Sequence, residues 1–107
     1  MTWPATASDL YTRMLRMTGV NRMWAKKWCL LMFDAIDGPT DQEPEHDIDG
    51  SFEGRKNALH DVYLCTGDFP ALCDTLQVSP EAVSEAFRAG EITRPQIEAM
   101  WRATRPD

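Results

Sequence analysis

The sequence predicts an all-α protein, and three observations carry this prediction. Apolar residues recur at helical spacing in several separate runs, most regularly between Trp24 and Ile36. Glycine follows most of these runs, at the positions where helices end. No segment alternates apolar and polar residues in the manner of a half-buried β-strand. We therefore expect a single all-α domain over residues 1–107, built from five to six helices.

The N-terminal third predicts two helices. Ser8 or Asp9 is placed to cap the first helix, and Gly19 to end it. Asn21 is placed to cap the second, which ends at Gly38. Its apolar residues follow one continuous stripe, which we expect to form the centre of the core. The stripe consists of Trp24, Trp28, Leu31, Met32, Ala35 and Ile36.

An acidic segment follows the second predicted helix. The run TDQEPEHDIDGSFEG, residues 40–54, is rich in Asp and Glu, contains neither Lys nor Arg, and has few apolar side chains. A segment of this composition cannot bury enough apolar surface to offset the entropy lost on ordering. We therefore expect a solvated acidic loop at residues 40–54.

The C-terminal half predicts the remaining helices. A third helix is expected from about Arg55 to Cys65. Asp68 is placed to cap a short fourth helix, and Ser79 caps a fifth whose first residue is proline. Thr93 and Gln96 have the spacing of a capping box at the start of a last helix.

Residues 69–89 have the pattern of a helix-turn-helix pair. Such a pair needs a small residue on the first helix, a turn four residues later and apolar residues that hold the second helix in place. Cys73 takes the small position. Gln77 takes a turn position that often has positive φ, where a residue other than glycine costs about 1 kcal/mol. The buried positions after it are taken by Val78, Val83 and Phe87.

If this pair reads DNA, its second helix presents polar side chains to the major groove. Arg88 is suited to a guanine edge, and a glutamate can accept a hydrogen bond from cytosine N4. Glu81 and Glu85, however, would also approach phosphate and repel it. The alternative is an acidic, solvated helix face. The residues predicted to project outward are Ser79, Glu81, Ser84, Glu85 and Arg88.

Basic residues are concentrated instead in the first two predicted helices. No acidic residue occurs from Leu10 to Phe33. Brought together by folding, the basic side chains would form a patch that contacts phosphate. The alternatives are the ordinary solvent face of two amphipathic helices, or a patch that attracts the acidic segment 40–54. The residues concerned are Arg13, Arg16, Arg22, Lys26 and Lys27.

Composition and motifs argue against catalysis and membrane insertion. The chain has no Ser-His-Asp set, Gly-rich phosphate loop or H-E-x-x-H motif, so we expect no enzymatic activity, no cofactor and no metal. No apolar run approaches ~18 residues, and no secretory signal is evident, so we expect a cytoplasmic protein without membrane contact. The three cysteines are predicted to be buried, reduced thiols.

The run LHDVYLCTGDFPALCDTLQVSPEAV resembles a segment of small α-helical proteins of bacteriophages, prophages and gene transfer agents, especially in alphaproteobacteria. The upstream run MWAKKWCLLMFDAIDG is similar to the leading helix of that family, and the resemblance covers roughly residues 22–90. It implies phage ancestry and a helix-turn-helix-like core. It also implies a role in transcriptional control, or as a ring-forming small terminase subunit that brings DNA to a packaging motor. The matching residues are Tyr63, Leu64, Asp68, Phe69, Leu72, Cys73, Leu76, Val78, Pro80 and Val83.

Two functions stay open at the level of sequence. The first is a phage-type DNA-associated protein, either a packaging adaptor of the small-terminase type or a transcriptional regulator, with DNA and further copies of the chain as partners. The second is an acidic module that binds a packaging motor subunit or host factor, for example as an inhibitor of a bacterial defence nuclease. The helix pair and the basic residues favour the first function. The net charge of −6 and the acidic segment favour the second.

Overall fold

Six α-helices make up the part of the chain that the computed structural model describes, residues 3–38 and 51–104. No β-strand occurs among these residues. The predicted all-α fold is therefore confirmed. The helices are α1 (Ala5–Leu15), α2 (Val20–Asp37), α3 (Ser51–Leu64), α4 (Phe69–Thr75), α5 (Pro80–Arg88) and α6 (Arg94–Ala103).

Helix α2 lies at the centre and packs against α3, α4 and α6. One face of it is fully covered by these neighbours and carries Trp28, the largest of the fully buried side chains. The predicted stripe is confirmed at Trp28, Met32 and Ala35, while Leu31 and Ile36 are partly buried against the core. Trp24 is 39% exposed. The buried residues of α2 are Ala25, Trp28, Cys29, Met32 and Ala35.

The connection between α1 and α2 differs from the predicted one. Helix α1 ends at Leu15, before Gly19, and Gly19 instead occupies the N-cap position of α2 with φ 60°. Asn21 lies inside α2 and is exposed, so the prediction that it caps this helix is wrong. A glycine serves here because this turn requires a left-handed backbone conformation, which side chains other than glycine adopt at a cost.

Helix α3 begins at Ser51, earlier than the composition indicated. Residues 51–54, assigned from the sequence to the acidic loop, form its first turn. Glu53 lies in that turn, where the helix dipole favours a negative charge. The rest of the predicted acidic loop, residues 40–50, lies outside the described residues.

Helices α4 and α5 form the predicted pair, joined by residues 76–79. Gln77 has φ 59°, as its turn position requires. Its N–H donates to the Asp74 carbonyl at 2.9 Å, and the Val78 N–H donates to the Cys73 carbonyl at 3.0 Å. These two bonds close the C-terminus of α4 in a Schellman motif. The Oγ of Ser79 then accepts from the Ala82 N–H at 3.3 Å, which confirms the predicted cap of α5.

The two short helices are held in place by apolar contacts. Cys73 and Val83 are buried, and Val78 and Phe87 are partly buried against the core. Helix α5 also packs on α3 and α1, while α6 packs on α1 and α2. Helix α5 is therefore partly covered by α1, α3 and α4. These contacts determine which polar residues of α5 reach solvent.

Candidate binding surfaces

The outward side of α5 presents fewer of the predicted residues than expected. Ser84 is buried, with 4% of its surface exposed, and its Oγ faces the Tyr63 carbonyl oxygen at 3.5 Å. The prediction that Ser84 projects outward is wrong, because α5 packs against α3 along the side that carries this serine.

Arg88 is directed toward the same end of α3. Its Nη2 donates to the Tyr63 carbonyl oxygen, and its guanidinium lies 5.3 Å from the centre of the Tyr63 ring. The Tyr63 carbonyl belongs to the last turn of α3, where carbonyl oxygens accept no hydrogen bond from an N–H of the same helix. Arg88 therefore closes the C-terminal end of α3, although its side chain remains exposed.

The remaining polar groups of α5 give it an acidic surface. Ser79 caps the helix, and its Oγ also donates to the Glu81 carboxylate at 3.1 Å. Glu81 and Glu85 are exposed one turn apart, as predicted. A helix that exposes two carboxylates, and whose arginine already donates a hydrogen bond to the Tyr63 carbonyl, is poorly suited to approach DNA phosphates.

The five predicted basic residues are distributed over several depressions of the surface. Arg13 and Arg16 line a polar groove of about 320 Å³ beside the α4–α5 turn, together with Asn21 and Gln77. The Nε of Arg13 is paired there with the Asp9 carboxylate at 2.9 Å. The folded chain thus places two of the five basic side chains next to the turn of the helix pair.

The other basic residues lie elsewhere on α2. Arg22 and Lys26 line a second depression of about 280 Å³ beside Thr104, and the Lys26 ammonium lies 5.2 Å from the centre of the Trp101 ring. Lys27 lies on a different side, 4.7 Å from the centre of the Trp24 ring. Neighbouring helical residues point in directions about 100° apart, so the adjacent lysines serve different surfaces.

A groove between α2 and α4 is the main feature that sequence reasoning missed. It has a volume of about 630 Å³. Leu30 and Leu31 of α2 and Ala71 and Leu72 of α4 provide its apolar lining. Volumes of this size are typical of sites that receive a ligand or an anchoring side chain of a partner.

Large apolar side chains of α2 are exposed both in this groove and outside it. Leu30 is 50% exposed and Met23 is 63% exposed, and Val20 at the start of the helix is exposed as well. Trp24 borders the groove and is stacked against Lys27. Exposed apolar side chains that line a groove on a small protein are typical of an interaction site.

The charged residues of the groove are separated by sign. Thr75, at the end of α4, lines both this groove and the groove that contains Asn21, so α4 ends near the start of α2. The first residues of α4 consequently lie toward the other end of α2. Asp68 and Asp34 both line the groove on that side, while Lys27 lies nearer the α2 N-terminus.

The cysteines offer no reactive thiol within the core. Burial raises the pKa of both Cys29 and Cys73 from 9.0 to about 12, so both stay protonated at neutral pH. Cys65 is only partly buried, and its backbone has φ 54° at the end of α3. The predicted burial is confirmed for Cys29 and Cys73 and holds in part for Cys65.

The described residues contain neither a cluster of metal ligands nor a helix that could span a membrane. No group of three or more His, Cys, Asp or Glu side chains is arranged to hold a metal ion in residues 3–38 and 51–104. None of the helices in these ranges combines the length and apolar character needed to cross a membrane.

Comparison with known proteins adds no relative. No protein-family model matches the chain, and no curated protein or solved structure is significantly similar to it. The described residues form a small all-α domain with exposed apolar side chains in the groove between α2 and α4. The net charge of the chain is −6.

Proposed function

We propose that the protein is an acidic protein-binding module that recruits or inhibits its partner by receiving an apolar segment of that partner in the α2–α4 groove. The observation that carries the proposal is the α2–α4 groove itself, whose largely apolar lining includes the exposed side chains of Trp24 and Leu30. The resemblance to phage proteins is compatible with a packaging motor subunit or a host factor as the partner.

The energetics favour this use of the surface. Removing apolar surface from water contributes about 25 cal/mol per Å², and Trp is among the residues that dominate binding energies at protein interfaces. Trp24 offers a large, half-exposed ring whose orientation is supported by the Lys27 ammonium. A side chain held in this way loses little entropy when a partner covers it.

Affinity purification from cell extract, followed by titration with the purified partner, tests this function. Leu30→Glu places a charge on the groove wall, whereas Leu15→Glu places the same charge on α1 at a leucine of similar exposure, 57% against 50%. We expect the wild type and Leu15→Glu to bind one partner equally, and Leu30→Glu to lose at least about tenfold in affinity. A partner that binds Leu30→Glu as tightly as the wild type overturns the proposal.

A second candidate function is DNA association by a phage-type packaging adaptor or regulator. The observation that favours it is the polar groove containing Arg13 and Arg16 beside the α4–α5 turn. The acidic outward side of α5 and the engagement of Arg88 weigh against reading of bases by this helix.

A salt series of DNA binding distinguishes the two functions. Each phosphate contact contributes a slope of about −0.9 to the logarithm of affinity against the logarithm of salt concentration. If the protein associates with DNA, replacing Arg13 and Arg16 with alanine lowers that slope by about 2. DNA binding of this kind, combined with unchanged behaviour of Leu30→Glu, would favour the second candidate. Light scattering reports on the ring that a small-terminase role implies.

A further inference from the structure

We infer that the segment received by the α2–α4 groove is an amphipathic helix of the partner, with a Lys or Arg at the end that lies against Asp34 and Asp68. The inference rests on the proposed function and specifies the chemistry of the partner segment. Three properties of the groove lead to it: its length, the lack of strand-pairing groups in its walls, and its charges.

The length of the groove fits about three turns of helix. Its lining on α2 runs from Trp24 to Asp34. Ten residues of helix rise about 15 Å, so a partner helix of about 11 residues would match this lining along its full length. Such a helix places apolar residues at i, i+4 and i+7 on one side, which is the usual pattern of helix-in-groove recognition.

The walls of the groove favour a helix over an extended segment. Both walls are α-helices, which present side chains to the groove and offer no row of unpaired backbone groups like that of an edge strand. An extended segment gains affinity by pairing its main chain with a sheet edge, and the described residues offer no such edge. A helix satisfies its own backbone groups and needs only side-chain contacts, which Leu30, Leu31 and Leu72 provide.

The charges of the groove select a basic partner. Asp34 and Asp68 are exposed and both line the groove, so a Lys or Arg of the partner at that end would meet two carboxylates of opposite charge. The net charge of −6 extends this attraction over a longer range. The same net charge opposes the approach of a second copy of the chain, because both copies would carry it.

A displayed library of random peptides of about 16 residues provides the experimental probe, because it imposes no sequence in advance. Selection on the wild type, with counter-selection on Leu30→Glu, retains peptides that need the groove. We expect these peptides to share helical apolar spacing and a Lys or Arg at one end. Anisotropy titration of a labelled synthetic peptide from the selection then measures affinity, and circular dichroism shows that each variant is folded.

Charge variants test the orientation. Asp34→Asn with Asp68→Asn is expected to weaken a selected peptide about fivefold to tenfold, whereas Asp74→Asn, an exposed acid outside the groove lining, is expected to leave it unchanged. Asp34→Lys with Asp68→Lys should recover affinity when the basic residue of the peptide is replaced by Glu.

The possible results separate this inference from the function beneath it. The inference is overturned, and the proposed function is retained, if the selected peptides depend on Leu30 but lack a basic residue. The same holds if their affinity is unchanged by the Asp34 and Asp68 variants. If counter-selection leaves no peptide, because every peptide that binds the wild type also binds Leu30→Glu, both are overturned. A wild-type dimer that dissociates in the Leu30 variants, with no peptide enriched, identifies a second copy as the occupant and overturns the inference.

Discussion

The outward sides of α2 and α5 use their side chains in opposite ways. On α5, the polar residues Ser84 and Arg88 are turned toward the end of α3 and contribute to the fold. On α2, the large apolar residues Met23 and Leu30 remain at the surface although the helix lies at the centre of the domain. The comparison teaches that two of the residues expected to read DNA contact the end of α3 instead. Helix α2, expected to form the centre of the core and to carry three of the basic residues, also exposes large apolar side chains.

Two tryptophans one turn apart on α2 give the sharpest test of this difference. Trp28 is completely buried, and Trp24 is 39% exposed at the groove. We expect Trp28→Ala to lower the free energy of unfolding by about 3–5 kcal/mol, because the ring leaves a cavity that the core cannot fill. Trp24→Ala should cost about 1 kcal/mol or less, because water already reaches its ring.

Urea unfolding followed by circular dichroism measures both changes, with an unchanged m-value as the sign that each variant unfolds from the same compact state. Partner binding should respond in the opposite order among folded variants, with Trp24→Ala weakening it most. Equal losses of stability for the two variants would mean that Trp24 belongs to the core, and would contradict the distinction between a buried and an exposed side of α2.

The turns that bracket α4 and α5 allow a second matched pair of variants. Gly67 and Gly90 have φ 61° and 76°, so alanine strains the backbone at either position. At Gly67 a Cβ would also lie only 2.7 Å from Cγ of Asp61, whereas at Gly90 nothing lies within 4 Å. The Asp61 carboxylate would have to move and lose the hydrogen bond it accepts from Thr66 Oγ1 at 2.9 Å.

We therefore expect Gly67→Ala to cost about 2–3 kcal/mol and Gly90→Ala about 1 kcal/mol, as measured by thermal and urea unfolding. Gly67 precedes α4, which forms one wall of the groove, so its variant should also weaken partner binding. If both variants lose the same stability, the contact between Gly67 and Asp61 does not constrain the entry into α4.

The parts of the fold that sequence reasoning predicted well are those determined by local chemistry. The cap at Ser79, the positive φ of Gln77 and the buried Val83 follow from turn geometry and helical spacing within about ten residues. The predicted capping box is likewise present, with the Gln96 side-chain oxygen accepting from the Thr93 N–H at 2.9 Å.

The parts that were missed depend on which distant helix covers each side. Ser84 is polar and was expected at the surface, but the approach of α3 buries it. Met23 and Leu30 lie outside the predicted stripe of α2, and their spacing of seven residues was the signal, available in the sequence, that this helix has a second apolar side. Only the packing of α4 beside that side shows that it forms a groove.

Replacement of Arg88 tests the claim that α5 uses its arginine internally. Arg88→Ala removes the donor to the Tyr63 carbonyl and the stacking on the Tyr63 ring. Because the arginine is exposed and water can replace part of the interaction, we expect a loss of only about 0.5–1 kcal/mol in unfolding free energy. Arg88→Lys retains the charge but not the planar group, and should recover less than half of the loss. A variant with unchanged stability but weakened DNA binding would show that Arg88 is a contact residue.

The smallest expected effect lies in the turn between α4 and α5. Gln77 holds φ 59° at a cost of about 1–2 kcal/mol, and glycine would remove this strain while adding about 0.5–1 kcal/mol of entropy to the unfolded chain. Gln77→Gly should therefore raise the free energy of unfolding by about 0.5 kcal/mol and the melting temperature by about 2–4 °C. Gln77→Ala is the control, since it keeps the strain and should show no gain. Stabilisation by both substitutions would mean that the glutamine side chain destabilises the turn. Stabilisation by glycine alone would mean that the strain lies in the backbone of the turn that positions α5 against α3.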